Sequence, residues 1–115
     1  MHAAPEQKVY LTRLEEVFVI TVRGETDHDD TEEFEAAWDA ADQAALPTTA
    51  IDLSQVTFAD SMLLNALLDA RRRHVSGGRQ LILLGPLPPA VSRLLTLSGT
   101  IDHFTIADTG PSLTS

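Results

Sequence analysis

Within the stretch VTFADSMLLNALLDARRR, Asp60 and Ser61 stand side by side where a β-branched run gives way to leucines at helical spacing. A carboxylate and a hydroxyl at such a junction can do three kinds of chemistry. Either side chain can accept a hydrogen bond from a free N–H of the first helical turn, a cap that stabilises by about 0.5 to 2 kcal/mol. Ser61 can also carry a phosphoryl group, because the N–H groups and the macrodipole at a helix start favour an anion. The same anion, set beside Asp60 at a protein interface, repels a partner's carboxylates and resists desolvation. A modification that the fold survives and a complex does not makes a switch. The third chemistry, nucleophilic attack by Ser61, needs a base within reach and a G-x-S-x-G elbow; ADSML has no such elbow, and a carboxylate of ordinary pKa is a poor base for a serine hydroxyl. An enzyme is not expected.

The run GETDHDD, from Gly24 to Asp30, is the other polar cluster. His28 within it suggests a divalent-cation site, but a solvated loop that caps the following helix explains the same residues more simply. The remaining histidines, His2, His74 and His103, form no H-E-x-x-H pair, and the chain has no cysteine, so neither a metal centre nor a thiol nucleophile is expected. G-x-G-x-x-G and G-x-x-x-x-G-K-[ST] are both missing, which removes the usual backbone cradles for dinucleotides and triphosphates. A net charge of -9 sets the chain against nucleic acid and anionic membrane surfaces. The expected counterpart is therefore a protein or a small ligand. Arg71, Arg72 and Arg73 read as charges that suit a helix C-terminus, and Trp38 as a core residue.

The elements that hold these residues follow from periodicity. With 115 residues, 43% hydrophobic and 22% charged, the chain is the size and composition of one soluble domain. Val9 to Leu14 and Val17 to Arg23 are strand runs joined at Glu15-Glu16, a hairpin. Phe34, Ala37, Trp38, Ala41 and Ala45 recur at helical spacing, with Asp30 and Glu33 spaced as a capping box, and Pro47 ends that helix. TTAIDL is a short buried strand. A second helix starts at Asp60 or Ser61 with Leu63, Leu64, Leu67 and Leu68 inward and Gly77-Gly78 as its stop. RQLILLG is another strand; Pro88-Pro89 opens a third helix with Ala90, Val91, Leu94, Leu95 and Leu97 as its apolar face; DHFTIAD is a last strand. The order β-β-α-β-α-β-α-β predicts an α/β fold, a mixed but mostly parallel sheet of about five strands with right-handed crossovers. Residues 1–8 and 109–115 read as tails around a domain at 9–108. No basic-then-apolar leader and no long apolar run occurs, so a cytoplasmic location is expected.

The chain resembles the STAS domain, and within it the bacterial anti-sigma factor antagonists. VFVITVRGETDHDDTEEF is similar to the family's second strand and G-E-x-D loop, matched at Gly24, Glu25 and Asp27; AIDLSQVTFADS is similar to its central strand, which ends on a regulated serine; GGRQLILLGPLPPAVSRLLTLSGTIDHFTIAD resembles its closing half. The resemblance implies partner switching. The unphosphorylated protein binds an anti-sigma factor of the histidine-kinase-like ATPase type and frees a sigma factor, that partner phosphorylates Ser61, and a PP2C-like phosphatase reverses it. ATP belongs to the kinase, so no cofactor is implied for this chain. The implied docking residues are Gly24, Glu25, Asp27, Asp60, Ser61, Met62, Leu63 and Asn65. Where the family has a small residue and a glycine after the serine, this chain has Met62 and Leu63, followed by Leu64. That departure implies either a kinase with a matching hydrophobic groove, or a module that binds a protein, a small ligand or a nucleotide without being phosphorylated.

Overall fold

The computed structural model describes residues 8–26 and 30–108. Val9–Leu14 (β1) and Val17–Glu25 (β2) pair antiparallel across the Glu15-Glu16 turn. Helices and strands then alternate as Thr31–Ala44 (α1), Thr48–Phe58 (β3), Ser61–Ser76 (α2), Gln80–Gly85 (β4), Pro89–Leu97 (α3) and Thr105–Asp108 (β5). The sheet runs β1-β2-β3-β4-β5, in chain order, with β2 to β5 parallel. The expected mixed, mostly parallel α/β fold is borne out. Each crossover steps to the next strand in the same direction, so right-handedness puts α1, α2 and α3 on one face of the sheet. No described helix is long and apolar enough to cross a membrane.

Between that face and the helices lies one core. Ile20, Ile51, Leu53 and Leu83 project from the strands onto Phe34 and Trp38 of α1, Leu63 and Leu67 of α2, and Val91 and Leu95 of α3, all essentially inaccessible. The Phe34 and Trp38 rings lie tilted at 5.8 Å, so Trp38 is a core residue as its helical position predicts. The inward stripe of α2 differs from the expected run of leucines. It consists of Leu63, Leu67, Ala70 and His74, while Leu64 and Leu68 sit half-buried at its flanks. His74 is fully buried and fully partnered: Nδ1 donates to the Ala70 carbonyl at 2.7 Å, which leaves Nε2 to accept from the Thr49 hydroxyl at 2.7 Å.

Three local expectations are corrected. The Asp30–Glu33 capping box does not form: Asp30 makes no side-chain cap, and its carboxylate meets Lys8 Nζ at 3.2 Å. Glu33 instead accepts from the backbone N–H groups of Lys8 and Val9 at 3.1 and 2.9 Å, which ties the start of β1 to α1. The last strand begins only at Thr105, since Ile101–His103 winds into a 3-10 turn first. Leu97, placed on the buried face of α3, is 79% exposed. Two of the three arginines act as tethers as well as dipole partners, while Arg72 stays on its own helix with Asp69. Arg73 reaches Asp39 and Asp42 of α1 at 2.9 and 3.2 Å, and Arg71 Nε donates to the His103 carbonyl at 2.7 Å.

Candidate protein-interaction site

The site begins with the length of β3. Its first half, Thr48 to Asp52, is flanked by both β2 and β4, but its second half runs on past β4 with only β2 alongside. In that overhang Gly24 pairs with Val56 and Glu25 with Phe58, after register shifts that mark a bulge. Gly24 has φ +79°, a left-handed conformation in which a side chain is strained. Thr26 closes the arrangement, because both its N–H and its hydroxyl donate to the Phe58 carbonyl at 3.1 Å. Gly24 and Glu25 of the expected loop and the expected serine are thus brought to one end of the sheet. Asp27 and His28 lie outside the described residues.

Two residues beyond Phe58 the chain turns into α2. Asp60 is extended, with φ −134° and ψ −167°, and its Oδ1 accepts from Met62 N at 3.0 Å, while its carbonyl accepts from Leu64 N at 3.2 Å. Asp60, not Ser61, is therefore the cap. Ser61 occupies the first helical position with its side chain exposed, so its hydroxyl is not consumed by the capping. No residue supplies it with a base among the described hydrogen bonds.

Two clefts flank this turn. One, of about 440 Å³, lies between the start of α2 and α3 and is lined by Ser61, Leu64, Ala90, Arg93, Leu94 and Leu97, among others. It is largely apolar, and Arg93 brings a cation to the cleft that Ser61 lines. The other, of about 360 Å³, lies between α1 and α2, where Phe34 and Trp38 join Met62, Asn65, Glu35 and Asp69. Asn65 is exposed and Met62 half-buried in that second cleft, whereas Leu63 points into the core and presents nothing to a partner. The docking role expected of Leu63 is corrected on that ground.

Residues not anticipated for the candidate site are Leu64, Leu94 and Leu97, which line the cleft beside Ser61, and Phe58, which is 52% exposed at the end of the overhang. A helix-face count places Leu97 inward with Leu94, since it cannot tell where α3 ends against its neighbours. Among the described residues no group of three or more histidines, cysteines or carboxylates is arranged to hold a metal.

Comparison with known proteins bears out the resemblance read from the motifs. Residues 10–106 match the family model described as Mlab, STAS domain. No curated protein sequence matches the chain significantly. Among solved structures it is similar to an anti-sigma factor antagonist from Mycobacterium paratuberculosis, with 28% identity, a TM-score of 0.75, and 98% of this chain and 97% of that one covered. It is also similar to the anti-sigma factor antagonist SpoIIAA in its unphosphorylated form, with 25% identity, TM-score 0.75 and coverage of 92% and 91%. The Bacillus cell fate determinant SpoIIAA in its phosphorylated form gives 25% identity, TM-score 0.71 and coverage of 92% and 95%.

Proposed function

Since the chain belongs to the STAS domain family, we propose that it is an anti-sigma factor antagonist whose binding is switched by phosphorylation of Ser61. In this reading the unphosphorylated protein docks on an anti-sigma factor of the histidine-kinase-like ATPase type, in the cytoplasm, and releases a sigma factor; the same partner transfers phosphate to Ser61, and a PP2C-like phosphatase removes it. The protein is a binding module and not an enzyme, and ATP is bound by the kinase.

The observation that carries this reading is an exposed hydroxyl at the first helical position of α2, next to a cap that another residue already provides, on the lip of an apolar cleft. A partner that covers the cleft desolvates Ser61. A phosphoryl group there brings about −1.5 to −2 charges beside Asp60 into a largely apolar interface in which Arg93 is the one cation lining the cleft among the described residues. The N–H groups and positive end of α2 keep that charge compatible with the fold, so the modification acts on binding and spares stability. Gly24 and Glu25 border the same end of the sheet, and Met62 and Asn65 extend the surface around the other side of α2. The bulk of Met62 where the family has a small residue calls for a kinase with a hydrophobic groove rather than a flat approach.

The test is incubation with candidate kinases and ATP followed by intact-mass measurement. Wild type should gain one phosphate, Ser61→Ala none, and Ser61→Asp should bind the same partner at least tenfold more weakly with an unchanged melting temperature. A kinase-like partner that binds tightly yet leaves the mass unchanged would instead favour a constitutively binding STAS module.

A further inference from the structure

The described helices cover only one side of the sheet. Phe18, Ile20 and Val22 of β2, Ile51 and Leu53 of β3, and Leu83 of β4 belong to the core beneath the helices. Side chains alternate along a strand, so the residues between them point the other way. The strand register aligns these intervening residues into rows: Val19, Ala50, Ile82 and Thr105 in one, Thr21, Asp52, Leu84 and Ala107 in the next, with Leu14 and Val17 at the hairpin end. Val17, Val19, Ile82, Leu84 and Ala107 are part-exposed, and neither they nor Ala50 packs against the core.

This second face is more apolar than a solvent face needs to be. Strands that alternate inward and outward between core and water read apolar-polar, whereas strands of parallel sheets buried on both sides read as unbroken apolar runs. VFVITV and LILL are runs of the second kind. The sequence is thus patterned for a sheet covered twice, and the described chain covers it once.

Size and charge select what fits. Five strands spaced by about 4.8 Å, over rows a few residues deep, make a patch of about 20 by 15 Å. That admits one helix of about 10–12 Å diameter, and falls short of the roughly 800 Å² per partner of a standard stable dimer interface. The ionisable groups on and beside the patch are three carboxylates, Asp52 within it, where it also accepts from Ser54 N at 2.9 Å, and Glu15 and Glu16 at the hairpin, against two guanidiniums, Arg13 at the hairpin and Arg23, which lies 5.4 Å from the centre of the Tyr10 ring. A second copy, itself at −9, would bring like charges together.

We propose that the open face of the sheet is a docking surface for one amphipathic helix of another protein, apolar where it crosses Val19, Ile82 and Leu84 and basic where it meets Asp52 and the hairpin carboxylates. The surface is on the opposite side of the sheet from α2, so its occupancy is independent of the state of Ser61.

The full ¹⁵N-labelled chain can be titrated with an 18-residue helical peptide of leucine, alanine and lysine, leucines along one face, in about 0.3 M salt, which screens non-specific attraction between a basic peptide and an acidic protein. Saturable amide shifts are expected at Val17 to Thr21, Thr48 to Asp52 and Gln80 to Leu84. Ile82→Lys should weaken binding at least tenfold, and the gentler pair Val19→Thr with Ile82→Thr, which keeps β-branched shape, several-fold. Shifts confined to α1 or α2, or unchanged affinity in folded variants, would overturn the proposal. A dimer in sedimentation that dissociates on Ile82→Lys would also overturn it, by giving the face to a second copy.

Discussion

His74 shows what a single position holds that its residue type hides. A histidine in a run of arginines reads as a surface residue, yet it sits at zero exposure with both ring nitrogens partnered, one on Ala70 and one on Thr49. Burial pushes its pKa below the usual 6.5; the Ala70 carbonyl and Asp42 oppose the shift, while Arg79 and Arg73 reinforce it. The proton is therefore bound more weakly in the folded state than in the unfolded one. Stability from this group is complete above the unfolded value near 6.5 and declines as pH falls from there toward the folded value, by at most about 1.4 kcal/mol per pH unit. Urea unfolding at pH 7.5 and 5.5 should show a loss on acidification that His74→Gln largely abolishes. Thr49→Val, which strands Nε2 without its donor, should cost about 1 to 3 kcal/mol at the higher pH. Ser61 is the converse case, since its place at a strand-to-helix junction is visible in the sequence. Its role there shifts only by one residue, because Asp60 holds the extended position before the helix, from which its carboxylate reaches the Met62 N–H and leaves the hydroxyl unused for capping.

At the scale of elements, the hydrophobic periods carried most of the architecture. Each of the three helices and five strands was legible, because helices pack one stripe and buried strands read as apolar runs. What periodicity missed are features set by partners distant in sequence. The capping box fails because Glu33 is taken by the N–H groups of Lys8 and Val9; the overhang of β3 exists because β2 continues beside it after β4 has ended. The same holds for the site, where Gly24, Glu25, Asp60 and Ser61 could be gathered from motifs, but the cleft that α3 adds to them could not. Two leucines of α3 separate the roles. Leu95 is fully buried, so Leu95→Ala should cost about 2 to 5 kcal/mol in chemical denaturation, whereas Leu97→Glu should change stability by no more than about 0.5 kcal/mol. Its effect should appear instead as at least tenfold weaker binding to the proposed anti-sigma partner, measured by calorimetry.

For the whole molecule, the core is one connected cluster that draws on every helix and on strands β1 to β4. Cooperative unfolding is the consequence. Trp38, buried against Phe34, reports on side-chain packing, and far-ultraviolet circular dichroism reports on the backbone, so the two denaturation curves should coincide; separated midpoints would divide the chain into independent units. The acidic surface works alongside this, keeping copies apart while Arg73 and Arg79 hold α1 against its neighbours through Asp39 and Asp42. The strand order has a further consequence, for synthesis. Because the sheet is laid down in chain order, each strand leaving the ribosome meets an edge that already exists, and none has to be threaded between two strands formed before it. Assembly can keep pace with translation, and the edge left waiting at each pause is the surface that chaperones would have to guard.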